Sequence, residues 1–176
     1  MIDLLKGEME NPDRHHVTRA SGLRGYYANE PELERLIQTR HDPVHYEVFE
    51  HKVPAEAGHV MFGISKLQPG LIGQECFFTK GHYHTILATG ETYLCLAGQG
   101  LMLMRTPEGD FACEEFVPGR LVYVPPCWGH RSVNTGSAPL VTLFQYQGDA
   151  GHNYGNIVDE GFPRRVYLRG GKIVLD

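Results

Sequence analysis

The sequence has no apolar run near the roughly 20 residues that cross a bilayer as a helix, no dense block of lysine and arginine, and no C-x-x-C pair. The first absence argues against a spanning helix. The second, with a formal charge of −5, argues against a nucleic-acid partner. It also means that an anionic ligand must be held by local groups, because the overall field does not draw it in. The third leaves four scattered cysteines, Cys76, Cys95, Cys113 and Cys127, which read as reduced, mostly buried thiols rather than a disulfide framework. The start, MIDLLKGEMENPDRHH, has neither a long apolar core nor a small-residue cleavage site, so a leaderless, cytoplasmic chain is expected. Repeats, low-complexity tracts and Pro/Gly/Ser-rich linkers are missing too, which leaves one domain of 176 residues, large enough to bury its own core.

Two kinds of patterning remain. NEPELERLIQTR, Asn29 to Arg40, offers an asparagine cap, an early Pro31 and acidic residues in its first turn. Leu33, Leu36 and Ile37 give it one apolar side. It predicts a short helix packed on the main body, the one helix of an N-terminal extension over 1–43. From 44 to 176 the pattern is β. VHYEVFEHKV alternates, and HVMFGISKL, QECFFTK, TYLCLAG, GLMLMRT, FACEEFV, RLVYVP, HRSVNT and PLVTLFQY follow, separated by Pro- and Gly-containing turns. Many short strands without intervening helices predict an all-β antiparallel sandwich or small barrel. QGDAGHNYGNIVDEGF breaks the pattern and reads as a loop beside the barrel, where binding groups tend to sit.

His82 and His84 fall on one face of an extended segment, with Tyr83 turned the other way. Glu91 opens the next apolar run after a connection ending at Gly90, and His130 follows the rigid VPPCWG corner. Three imidazoles and one carboxylate with open positions suit Fe, Mn, Ni, Co or Zn. A lone H-x-H pair arises easily by chance among ten histidines, and His15-His16 reads as such a pair.

The second half of the pattern is more specific. His82, His84, Glu91 and Gly98, followed by Gly119, Pro125, His130 and Asn134, resemble the two motifs of the cupin superfamily, with Cys127 standing where glycine is common. The strings TKGHYH, ETYLCLAGQGLMLMRTPEG, PGRLVYVPPCWGHRSVNTG and DAGHNYGNIVDEGF, with HYEVFE, are similar to the cupin-type glucose-6-phosphate isomerases over most of Tyr46 to Phe162. The resemblance implies a cupin β-barrel and an aldose–ketose isomerase. It implies a homodimer with one divalent transition metal per chain, Fe2+ foremost and Mn2+, Ni2+, Zn2+ or Co2+ as alternatives. Its implied metal ligands are His82, His84, Glu91 and His130. Its substrate-side positions fall on Tyr46, Ser65, Thr79, Gly81, Tyr93, Tyr146, His152 and Tyr154, with Ser65 standing where a threonine is expected.

The chemistry is consistent with that implication. Moving hydrogen between C1 and C2 needs polarisation of the carbonyl and a group that handles protons. Glu91 can take the C2 proton; in the rival route a hydride passes directly between the carbons. Tyr93 and His152 are candidates for moving hydroxyl protons or opening the ring. No Walker loop is present, so the phosphate falls to the Thr79 hydroxyl, the Gly81 N–H and the phenols of Tyr46, Tyr146 and Tyr154. Lys80 reads as solvated, Arg164 and Arg165 as an exposed strand edge, Glu114-Glu115 as a solvated face and Asn134 as a turn former. An iron cupin dioxygenase and a non-catalytic sugar-binding cupin are the competing readings.

Overall fold

The alternating segments pair into antiparallel sheets in a computed structural model that describes residues 1–176, the side chains of Asn156 and Asp159 excepted. The N-terminal part holds β1 (Ile2–Asp3), β2 (Glu8–Met9), β3 (Arg14–Arg19), a 3-10 turn (Ala20–Leu23) and α1 (Glu30–Thr39). The central strands are β4 (Val44–His51), β5 (Val60–Leu67), β6 (Leu71–Ile72), β7 (Glu75–Cys76), β8 (Glu91–Ala97), β9 (Gly100–Arg105) and β10 (Phe111–Phe116). β11 (Leu121–Val124), β12 (Gly129–Asn134), β13 (Leu140–Gln147), α2 (Gly155–Glu160), β14 (Val166–Arg169) and β15 (Lys172–Leu175) complete the chain.

The larger sheet runs β11-β8-β13-β5-β4-β3, and a smaller one runs β10-β9-β12. Side chains from both share one core, which holds Tyr93 and Phe144 of the first and Met102, Met104 and Val133 of the second, and Tyr93 meets Phe116 of β10 edge-on at 6.2 Å between ring centres. This is the all-β antiparallel architecture expected. The inward positions of β8, Glu91, Tyr93 and Cys95, alternate with half-buried neighbours, so period-two spacing sends a carboxylate and a phenol into the space between the sheets. All six residues of β12 are buried, which means both of its faces are covered.

The helix forms where its signals lie. Asn29 accepts from the Glu32 N–H at 3.2 Å, satisfying one of the first-turn donors. Leu33 is fully buried, and Leu36 and Ile37 pack on the core.

Four features depart from expectation. Arg14–Arg19 is a strand, paired with β4 as an edge of the larger sheet; five of its six residues are polar and most are exposed, and it joins through backbone bonds that leave little hydrophobic signature. QECFFTK is strand only at Glu75–Cys76. Beyond that, Phe78, His82 and Tyr83 make isolated bridges, because Gly81 at φ +76° turns the backbone out of a regular ladder. The segment read as a loop contains α2. Arg165 is not a free edge residue, since its Nη1 donates to the Glu75 carboxylate at 2.6 Å and to the Tyr26 carbonyl at 3.1 Å.

All four cysteines are free, but only Cys76 and Cys95 are buried; Cys113 is half-buried and Cys127 exposed. Cys127 sits at φ +69°, the conformation that favours glycine at such a corner. Asn134 does shape a turn, donating to the Leu67 and Ala138 carbonyls and accepting from the Gly136 N–H.

Leu33→Ala should remove the principal anchor of α1 and lower the unfolding free energy by about 2–5 kcal/mol, as for other fully buried leucines. Urea denaturation of the mutant and wild type measures this directly.

Candidate active site

Backbone pairing delivers the first two histidines to the third. The His82 N–H donates to the His130 carbonyl at 3.2 Å, and the His130 N–H returns to the His82 carbonyl at 3.0 Å. Such a reciprocal pair fixes the two residues directly opposite one another. The approach requires glycine at 81: a Cβ there would lie 2.9 Å from the His130 carbonyl oxygen and 3.0 Å from the Phe162 ring. Gly129 is needed for a parallel reason, because its missing side chain leaves room for the Tyr83 ring, 2.7 Å from where a Cβ would stand. Tyr83 thereby packs away from the site, leaving His82 and His84 on the other side.

The structure brings His82, His84, Glu91 and His130 together, with one ligating atom from each lying within 4.8 Å of the others. The Glu91 Oε2 stands 2.9 Å from His130 Nε2, 3.0 Å from His84 Nε2 and 3.9 Å from His82 Nε2. The group spans the two sheets, Glu91 at the head of β8 and His130 on β12.

Hydrogen bonds at the far side of two rings set what these nitrogens offer. His84 Nδ1 faces the Thr89 Oγ1 at 2.7 Å and the Thr89 carbonyl at 3.2 Å, while His130 Nδ1 faces the Trp128 carbonyl at 3.4 Å. A carbonyl only accepts, so each Nδ1 carries the proton and each Nε2 presents a lone pair. Lone pairs therefore converge on a carboxylate. His82 Nε2 is buried with no hydrogen-bond partner among the described residues. An arrangement of acceptors facing acceptors, with one orphan among them, fits a divalent cation at their centre, and three nitrogens with one oxygen suit a transition metal.

The ionisation state agrees. Burial, followed by His130 and His152, pushes His82 well below the usual imidazole value, leaving it neutral as a ligand must be.

Beside this group opens a cavity of about 580 Å³. Its walls include Tyr46, Ser65, Thr79, Gly81, His82, Glu91, Tyr93, Tyr146, His152 and Tyr154, so the sequence-predicted substrate positions share one space. His84 and His130 lie behind the wall, buried. The Tyr93 hydroxyl is 3.2 Å from His130 Nε2. The His152 ring packs edge-on to His82 at 4.3 Å and stacks on Tyr154 at 6.1 Å between centroids. Thr79 Oγ1 accepts from the Ser132 N–H at 3.1 Å, which leaves its own hydrogen free to donate. Burial raises the phenols of Tyr93 and Tyr146 far above the usual range and that of Tyr154 to about 12, so all three are donors near neutral pH.

Sequence reasoning missed part of the wall. Arg14, His16 and Thr18 of β3 line the cavity together with Tyr26 and Glu50. Their i, i+2 spacing was the available signal, but it lay in a strand whose one apolar residue, Val17, is exposed. His15, on the opposite face, bonds Glu47 at 2.9 Å and stacks on Phe49. Lys80 is not freely solvated either: it is half-buried at the cavity wall, its ammonium 5.8 Å from the Tyr26 ring centre.

A sequence model described as "Glucose-6-phosphate isomerase (GPI)" matches residues 17–175. The chain is 41% identical to the glucose-6-phosphate isomerase of Thermococcus litoralis, over 99% of this chain and 90% of that one. It is 41% identical to that of Pyrococcus furiosus, over 98% and 90%. The chain belongs to the glucose-6-phosphate isomerase family. It is also 38% identical to the "putative glucose-6-phosphate isomerase 2" of Rhizobium meliloti, over 98% and 86%. Among solved structures it is similar to an oxalate decarboxylase at TM-score 0.49, with 20% identity over 61% of this chain and 27% of that one.

In a glucose-6-phosphate isomerase of this kind, Thr89 orients His84 toward the centre. Thr89→Val should keep the β-branched shape while removing the hydroxyl acceptor, weakening divalent metal binding roughly ten- to hundredfold. A competition titration with a chromogenic chelator reads the change.

Proposed function

We propose that this chain interconverts glucose 6-phosphate and fructose 6-phosphate, using one divalent transition metal held by His82, His84, Glu91 and His130. The observation that carries the reading is the convergence of those four side chains on the wall of a cavity whose adjacent wall is Thr79–Gly81, in a member of this family. A metal bound there supplies a Lewis-acid centre for the vicinal C1 and C2 oxygens of the sugar.

The remaining work falls to the protein. Thr79 Oγ–H and the Gly81 N–H donate to the phosphate, with Tyr46 and Ser65 beside them. Tyr146 and Tyr154 hold sugar hydroxyls as neutral donors, which avoids burying an uncompensated charge. Tyr93 shares its hydroxyl with the metal-ligand group and handles a hydroxyl proton of the substrate. His152 stands at the open side, placed for ring opening. Glu91 accepts and returns the C2 proton in one route and acts only as a ligand in the hydride route. Deuterium incorporation at C1 from heavy water separates the two. We take iron(II) as the native metal, with manganese, nickel, cobalt and zinc compatible with the same donors, and a homodimer in the cytoplasm as the working form; the resemblance to this family supports both.

A coupled assay with fructose 6-phosphate should show turnover that a chelator abolishes and a single added metal restores; turnover indifferent to chelator sinks the metal-dependent reading. His130→Ala should lose metal and turnover together. Thr79→Ala should retain metal while KM for fructose 6-phosphate rises about tenfold or more, the loss of one hydrogen bond to a charged group.

A further inference from the structure

At the Thr79–Gly81 turn the cavity wall offers the phosphate a few neutral donors and a half-exposed lysine, and the wall's arginine, Arg14, stands 4.0 Å from the Glu50 carboxylate, in a chain whose formal charge is −5. A positive charge lies behind that wall. Arg131 is 5% exposed. Alternation along β12 turns it away from His130 and Ser132, toward the outer side of the Thr79–Gly81 turn. Its guanidinium carbon lies 4.1 Å from the Phe78 ring centre and 4.7 Å from that of Phe162, with Tyr26 at 5.9 Å. Its Nη2 donates to the Lys80 carbonyl at 2.7 Å, while its Nε has no partner among the described residues.

Among the described residues no carboxylate lies within ion-pair distance of Arg131. The nearby Glu75 is engaged by Arg165 at 2.6 Å. Burying a guanidinium without a carboxylate is costly, and aromatic faces offset that only in part. What the arrangement preserves is field: a carboxylate partner would cancel the charge, whereas aromatic faces leave it acting on the next layer. That layer is the turn itself, for the Cβ of Arg131 lies 3.1 Å from where a Cβ of Gly81 would stand.

We propose that Arg131 is a positioning residue for the phosphate end of the cavity. It fixes the Thr79–Gly81 turn through the Lys80 carbonyl and supplies, from behind, the positive charge that a dianionic group on that turn requires. The inference rests on the sugar-phosphate reading above and deepens it.

The test compares Arg131→Gln, which keeps a planar donor but removes the charge, with Arg131→Lys, which keeps the charge. The probes are inorganic phosphate, titrated by calorimetry into metal-loaded protein, and fructose 6-phosphate in the coupled assay. Arg131→Gln should weaken phosphate binding and raise KM by roughly tenfold or more, the scale of one charge acting across a protein wall. Its kcat should stay within about threefold and its metal content should be unchanged; Arg131→Lys should recover most of the loss. Unchanged affinity in Arg131→Gln, or equal loss in both variants, overturns the proposal. Should either fail to fold, Phe162→Leu removes one aromatic face while keeping an apolar contact. It should weaken phosphate binding several-fold, and wild-type affinity there overturns the proposal equally. Absence of isomerase turnover in the wild type strikes the sugar-phosphate reading, whereas normal turnover with an unmoved KM in Arg131→Gln strikes this inference alone.

Discussion

Lone pairs pointed at lone pairs are the constraint around which this molecule is organised. Thr89 and Trp128 take the far-side protons of His84 and His130, so both imidazoles turn bare nitrogens toward the Glu91 carboxylate. Left alone, such a group is mutually repulsive. It persists because each member is fixed by something other than its neighbours: His82 and His130 by reciprocal backbone bonds, Glu91 by its register at the head of β8, His84 by Thr89. Rigid placement of this kind leaves binding free energy to the ion rather than spending it on reorganising the ligands.

The proposed metal and substrate functions share one short segment. Phe78 to His84 carries the hydroxyl and amide proposed to hold the phosphate at one end and two imidazoles at the other, with the Gly81 bend between them. That proximity suits aldose–ketose chemistry, where the reacting carbons and the phosphate belong to one small molecule. It also explains why the segment is not a regular strand. A continuous ladder would satisfy every amide with another strand, whereas the Gly81 N–H has no intramolecular acceptor among the described residues.

Much of this was legible in the sequence. β8 and β11 bury every second residue, so their side chains alternate and announce themselves, and turn signals mark off the other central strands; α1 carried its own cap and its own apolar side. The ligand group was visible because histidine and glutamate at those spacings have few other reasons to coincide. β3 was hidden, since an exposed edge strand such as Arg14–Arg19 needs no hydrophobic positions and pairs only through its backbone. Arg131 was hidden for the opposite reason. An arginine in a strand reads as solvent-facing, and the rings that enclose it, Phe78 and Phe162, come from remote parts of the chain that only the tertiary fold assembles.

Because β3 forms part of the cavity's rim and Tyr154 forms another part, the hollow is stitched from near both ends of the polypeptide. Its shape is therefore a property of the completed chain. The four side chains proposed to hold the ion all lie between 82 and 130, so they can be in position while the vessel beside them is still open. A nick near either terminus would then yield a species that carries its metal yet has lost the mould for its sugar.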